Sequence, residues 1–162
     1  MDPMEPNEDH EAANPRYFID ERWFDKSSRS YRAMGQSRMC ESCKAKLGTE
    51  TQERTPSVDP RTGRVVFEIR SVPFGQNPVS AIRSCCSKRR DYITPETPVA
   101  EALFRVLLAS GNQPMELERI REELSTYISM SDRPHNYSAD LLERIIRTDQ
   151  YYGLRRFSVA SD

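Results

Sequence analysis

Four cysteines stand in two close pairs, Cys40 with Cys43 in MCESCKAKLG and Cys85 beside Cys86 in SCCSKRR, and the chain has no others. Two thiolates at a Cys-x-x-Cys spacing can turn tightly around one tetrahedral metal ion, and a second pair supplies the remaining ligands. One shared ion forces the chain between Cys43 and Cys85 to close on itself, which few other features of this sequence demand. Neighbouring residues seldom both reach one ion. Cys85 and Cys86 therefore leave two arrangements open: both ligate, or one packs while a non-cysteine residue completes the set. Three or four sulfurs leave no open position for water, so zinc at this site is expected to be structural, not catalytic. Inert thiols or a disulfide come second and a redox pair third. A disulfide needs an oxidising compartment, and a redox Cys-x-x-Cys would open a helix in a βαβ setting. The first fifteen residues carry five acids and no Lys or Arg, unlike a secretory signal, and the expected compartment is the cytoplasm.

The Lys-x-Lys-Leu-Gly ending at Lys44–Gly48 resembles the knuckle of a zinc ribbon. That resemblance implies two knuckles joined around a small β-sheet, with Lys44 or Lys46 offsetting the charge of the sulfurs. The adjacent Cys85 and Cys86 depart from the second Cys-x-x-Cys of the family pattern.

A net charge of −1 hides a segregation along the chain. Residues 1–15 hold Asp2, Glu5, Glu8, Asp9 and Glu11 for a local −5, residues 16–93 carry 16 bases against 9 acids, and residues 94–162 carry 8 against 11. Any polyanion is expected to contact the basic middle, where Lys44, Lys46, Lys88, Arg89 and Arg90 flank the cysteines. With 30% charged residues and a mean hydropathy of −0.76, an apolar catalytic cavity is not expected, and no apolar run is long enough to span a bilayer.

Four segments are expected: a disordered acidic tail at 1–15, a basic zinc-ribbon-like domain at 16–93, a second domain at 94–158 and a short tail at 159–162. In the first domain Asp20 caps a short helix through Phe24, and Ser28 or Ser30 a second through Arg38. Trp23, Phe24 and Tyr31 are expected to pack in a small core in preference to stacking on bases. TETQERTPSVDPRTG has no apolar periodicity and reads as a long loop with a turn at Arg61 to Gly63, and Val65 to Arg70 reads as a strand. Thr97 with Pro98 opens a helix bearing Val99, Ala102, Leu103, Val106 and Leu107 that Gly111 stops. A second helix carries Leu117, Ile120, Leu124 and Ile128. Ser138 caps a third with Leu141, Leu142, Ile145 and Ile146, and a short strand follows around Leu154.

The run VAEALFRVLLASGNQPMELERIREEL followed by SADLLERIIRTDQYYGLRRF resembles small winged helix-turn-helix modules. The implied class is α+β, a small zinc-ribbon-like domain joined to a mainly α winged helix. In a DNA-binding member the third helix enters the major groove, which points to Arg144 and Arg147, with Arg155 and Arg156 as a basic wing. Asp140, Glu143 and the local charge of −3 act against this.

The sequence has no Gly-rich phosphate loop, no His-Glu-x-x-His and no Gly-x-Ser-x-Gly. His10 and His135 are read as ordinary residues. No enzyme and no small-molecule substrate is inferred. The expected function is a non-enzymatic, zinc-containing, nucleic-acid-binding regulatory protein, with DNA as the first target. The alternative is a protein–protein adaptor whose acidic winged helix docks on a larger complex.

Overall fold

The computed structural model describes residues 14–129 and 137–158. The tails at 1–15 (apart from Asn14 and Pro15) and 159–162, and the readings of His10 and His135, lie outside these residues. The described chain is mixed α+β with two small sheets. None of its helices is long and apolar enough to cross a membrane.

Strand β1 (Arg16–Ile19) leads into α1 (Glu21–Lys26) and α2 (Tyr31–Gln36). Asp20 caps α1 by accepting from the Arg22 N–H, and Ser30 caps α2 by accepting from the Ala33 N–H. Next come α3 (Glu41–Ala45), a hairpin of β2 (Glu50–Val58) and β3 (Val65–Pro73), α4 (Pro78–Ser84) and a 3₁₀ turn at Cys86–Lys88. The remainder is α5 (Val99–Ala109), β4 (Met115–Glu116), α6 (Leu117–Tyr127), α7 (Ala139–Thr148) and β5 (Leu154–Arg156). Pro98, not Thr97, is the N-cap of α5: its carbonyl accepts from the Ala102 N–H, while the Thr97 hydroxyl turns back to the Thr94 N–H.

Helix α5 is apolar almost all round, with Ala102, Leu103, Phe104, Val106, Leu107 and Leu108 buried, so it must lie at the centre. Ile120 and Leu124 of α6 and Leu142 and Ile146 of α7 pack around it. Phe24, Met34, Met39, Ile82 and Ile93 from the N-terminal half join the same core. Each such side chain contributes about 1.5–3 kcal/mol on burial. Core residues from both sides of position 93 thus share one interior.

The three-stranded sheet has the order β4-β1-β5 and is antiparallel throughout, with Tyr17 opposite Met115 and Ile19 opposite Leu154. Strand β1 is therefore the central strand between two strands from the far end of the chain. Where β4 is too short to reach, a side chain stands in for a strand. The Asn112 amide accepts from the Ile19 N–H at 2.8 Å and donates to the Ile19 carbonyl at 2.9 Å.

The segment expected as a long loop contains β2, paired residue for residue with β3 from Glu50 opposite Pro73 to Val58 opposite Val65. Its Thr, Gln, Glu and Arg residues need no apolar alternation, because β3's backbone holds β2 and the core covers neither face. The expected turn is present: Asp59 exchanges backbone bonds with Gly63 and Arg64, and Gly63 adopts φ +68°.

Candidate metal centre and basic surface

Cys40 is the N-cap of α3 and Cys43 lies within that single-turn helix. Cys85 ends α4 and Cys86 begins the 3₁₀ turn. Neither pair sits on a β-hairpin knuckle: Cys40 caps a one-turn helix that contains Cys43, and Cys85 ends a helix that Pro78 opens. At Cys85 the backbone leaves helical geometry with φ −132° and ψ −66°, and this bend lets two adjacent side chains converge.

All four sulfurs lie within 4.8 Å of one another. The Cys40 and Cys85 sulfurs are 3.9 Å apart, and a tetrahedron of Zn–S bonds near 2.3 Å has edges of about 3.8 Å. That separation is far beyond a disulfide, and all four cysteines are free. Cys43 and Cys86 are buried, Cys40 is half-buried and Cys85 is exposed, so the cluster is a closed set at the protein surface.

The protonation chemistry fits a cation. The Ser42 hydroxyl, 3.2 Å from the Cys40 sulfur, is the main cause lowering the Cys40 thiol to about 6, with the Cys43 amide adding to it. Burial pushes the Cys43 thiol up, and the neighbouring thiols add to the rise. Burial also raises Cys86, against the Cys40 N–H that donates to its sulfur at 3.2 Å. Four sulfurs this close do not all ionise unless a positive ion sits among them. The donor set can hold a metal ion.

The basic residues divide into engaged and free. Lys44 reaches Glu41 at 3.8 Å and Lys46 stands over the Phe74 ring, so the lysines expected to offset the sulfurs are occupied elsewhere. Arg89 is the base nearest in effect to the sulfurs, although it too has an acidic partner. Asp91, at 3.4 Å, raises its guanidinium, and the Cys40 and Cys85 sulfurs add to the rise. Lys88 and Arg90 are exposed beside it. Arg155 is not a free wing residue: it donates to the Asp149 and Leu154 carbonyls and lies over the Trp23 ring. Arg144 and Arg147 stand on the exposed side of α7 and Arg156 is exposed on β5. None of these three forms an ion pair among the described residues.

A further set carries no motif. Glu101 on α5 is buried and receives Arg38 in a two-pronged bond, both at 2.9 Å, and Arg105 at 2.9 Å. Arg38 and Arg105 also border a cavity of about 170 Å³ that Cys40 and Cys86 line, so this network lies beside the cysteine cluster. The i, i+4 spacing of Glu101 and Arg105 is the one sequence signal that marks it.

Comparison with protein-family profiles, curated proteins and solved structures returns no match.

Proposed function

We propose that this chain is a non-enzymatic, zinc-containing regulatory protein that binds nucleic acid, with duplex DNA as its first target. The observation that carries the reading is the order α5, β4, α6, α7, β5, with Arg144 and Arg147 exposed on α7 and in no ion pair among the described residues. This order supports the winged helix-turn-helix reading, and β1 adds the strand between β4 and β5. Zinc suits four thiolates at tetrahedral spacing, and a closed four-sulfur set serves structure, not catalysis. Of the zinc-ribbon resemblance, the two-pair closure is retained and the hairpin knuckles are not.

Arg144, Arg147 and Arg156 then meet phosphates or base edges, and Lys88 with Arg90 extend the basic surface. Two measurements test the reading on the same preparation. Elemental analysis is expected to give about one zinc per chain. Titration against duplex DNA is expected to show submicromolar binding that weakens steeply with salt, and Arg147→Ala should reduce the salt slope by about 1. Binding that is absent or insensitive to salt rejects the nucleic-acid reading. Recovery of a defined protein partner after nuclease treatment then supports the adaptor, through the acidic helices of residues 94–158.

A further inference from the structure

The β2–β3 hairpin is amphipathic, yet apart from the Arg54 guanidinium over the Phe67 ring nothing in the described chain covers its apolar side. Residues paired across an antiparallel ribbon share a face, and successive residues alternate faces. One face therefore carries Thr51 with Val72, Glu53 with Arg70, Thr55 with Glu68 and Ser57 with Val66. It is mostly polar and holds the Glu68–Arg70 ion pair. The other carries Arg54 with Ile69, Pro56 with Phe67 and Val58 with Val65. On that face Val58 is 65% exposed, Val65 60%, Phe67 58% and Ile69 67%. Four large apolar side chains on one face of a projecting ribbon are what an interface leaves when its partner is absent.

Charge says which partner. The tip carries Arg61 and Arg64, neither in an ion pair among the described residues, against the single carboxylate of Asp59, which accepts from the Arg61 backbone N–H at 2.9 Å and leaves the tip net positive. The base carries Glu50 on the apolar face, where its carboxylate accepts from Ser71. That face is thus positive at its tip and negative at its base, with an apolar stretch between that also carries the Arg54 guanidinium, 5.0 Å from the Phe67 ring centroid.

We propose that this face is the contact between two copies of the chain, packed face to face and antiparallel about a two-fold axis at Pro56 and Phe67. Such an axis lays the Arg54–Ile69 pair of one copy on the Val58–Val65 pair of the other. It also brings each positive tip to the partner's Glu50, so the surface is self-complementary in shape and in charge. The four side chains present a patch on the order of 400 Å² per copy, about 800 Å² in total and below the area of a stable interface, so the dimer is weak and depends on concentration. The inference rests on the hairpin alone and is independent of nucleic-acid binding.

Sedimentation equilibrium of the nuclease-treated, metal-loaded full chain tests it across roughly 1 μM to 1 mM. The mass is expected to rise from 18.8 kDa toward twice that value. The double variant Phe67→Asp, Ile69→Asp should stay at the monomer mass, with unchanged far-UV circular dichroism and, at about 1 μM where the native chain is monomeric, unchanged melting, because neither side chain is part of the core. Arg61→Glu with Arg64→Glu should weaken association roughly tenfold, and adding Glu50→Lys should recover part of the loss. A monomer at every concentration overturns the proposal. So does a dimer that survives the Asp substitutions, or association that requires added nucleic acid or a different protein.

Discussion

Replacing Glu101 by Ala removes the one carboxylate that Arg38 and Arg105 share. The Glu101 side chain is 12% exposed, Arg38 15% and Arg105 26%, and three charge-assisted bonds of 2.9 Å converge on the two carboxylate oxygens. Leaving a buried charge without its partner costs about 3–5 kcal/mol. Arg105 can turn partly to water and still donates to the Tyr92 carbonyl, so the expected loss is about 2–4 kcal/mol. At about 2–4 °C per kcal/mol for a chain of this length, the midpoint of thermal unfolding should fall by roughly 5–15 °C. Glu101→Gln keeps the shape and one acceptor and should lose about half as much. Circular dichroism melts and urea titrations at fixed metal concentration measure this.

The same network has a pH signature. Burial alone would raise the Glu101 carboxyl, but the bonds and charges of Arg38 and Arg105 outweigh it and hold the group below its ordinary 4.5. The unfolded chain therefore takes up the proton first as pH falls. Glu101 contributes fully above about pH 4.5, and its contribution is lost as pH falls through the lower folded value. The gap between the native chain and Glu101→Ala should narrow below pH 4.5 and stay constant above it. A loss under about 1 kcal/mol at pH 7, or a gap unchanged down to pH 3, would refute the reasoning.

Asn112→Ala should cost about 2–4 kcal/mol in urea titration, because it strips both bonds from the backbone of the fully buried Ile19; a cost near zero would mean that the amide does not act as a strand. Gly153 adopts φ +71°, and a Cβ there would lie 2.8 Å from the Phe24 ring, so Gly153→Ala should destabilise by about 1–3 kcal/mol, whereas an unchanged melt would show that the turn relaxes freely. Cys85→Ser should lose the metal as fully as Cys40→Ser, and acidification should release it from the native chain because protons compete for the thiolates. A chromophoric chelator reads both effects, and full metal retention by Cys85→Ser would leave a three-cysteine site.

The regular part of the fold was legible because periodicity and caps report it. Helices α5, α6 and α7 lie where their apolar spacing put them, and Asp20, Ser30 and Ser138 cap as expected. What local pattern does not report was missed. Strand β1 is too short to show alternation, and its partners lie near residues 115 and 155. Strand β2 is covered on neither face and so shows no apolar signal. The cysteine cluster was legible as a composition and a spacing, but the convergence of Cys85 and Cys86 depends on one backbone bend that no spacing encodes. Arg38 and Glu101 are far apart in the chain and individually ordinary, so only the fold brings them together.

The two cysteine pairs also bracket the hairpin, which leaves the body after α3 and returns before α4. Its base is closed by the Phe74 N–H donating to the Thr49 carbonyl at 2.8 Å, and below that the four sulfurs tie α3 to the end of α4. The central sheet is held differently, by β1 between β4 and β5 and by the fully buried residues of α5. A metal ion at the cysteines would therefore tie the root of the arm directly, and reach the core only through Cys43 and Cys86 at its edge. Removing it with a chelator should speed amide exchange first around residues 40–48 and 84–90, while α5 stays protected until global unfolding. Loss of protection in α5 at the same rate as in α3 would show that metal and core form a single cooperative unit, and that the arm has no separate anchor.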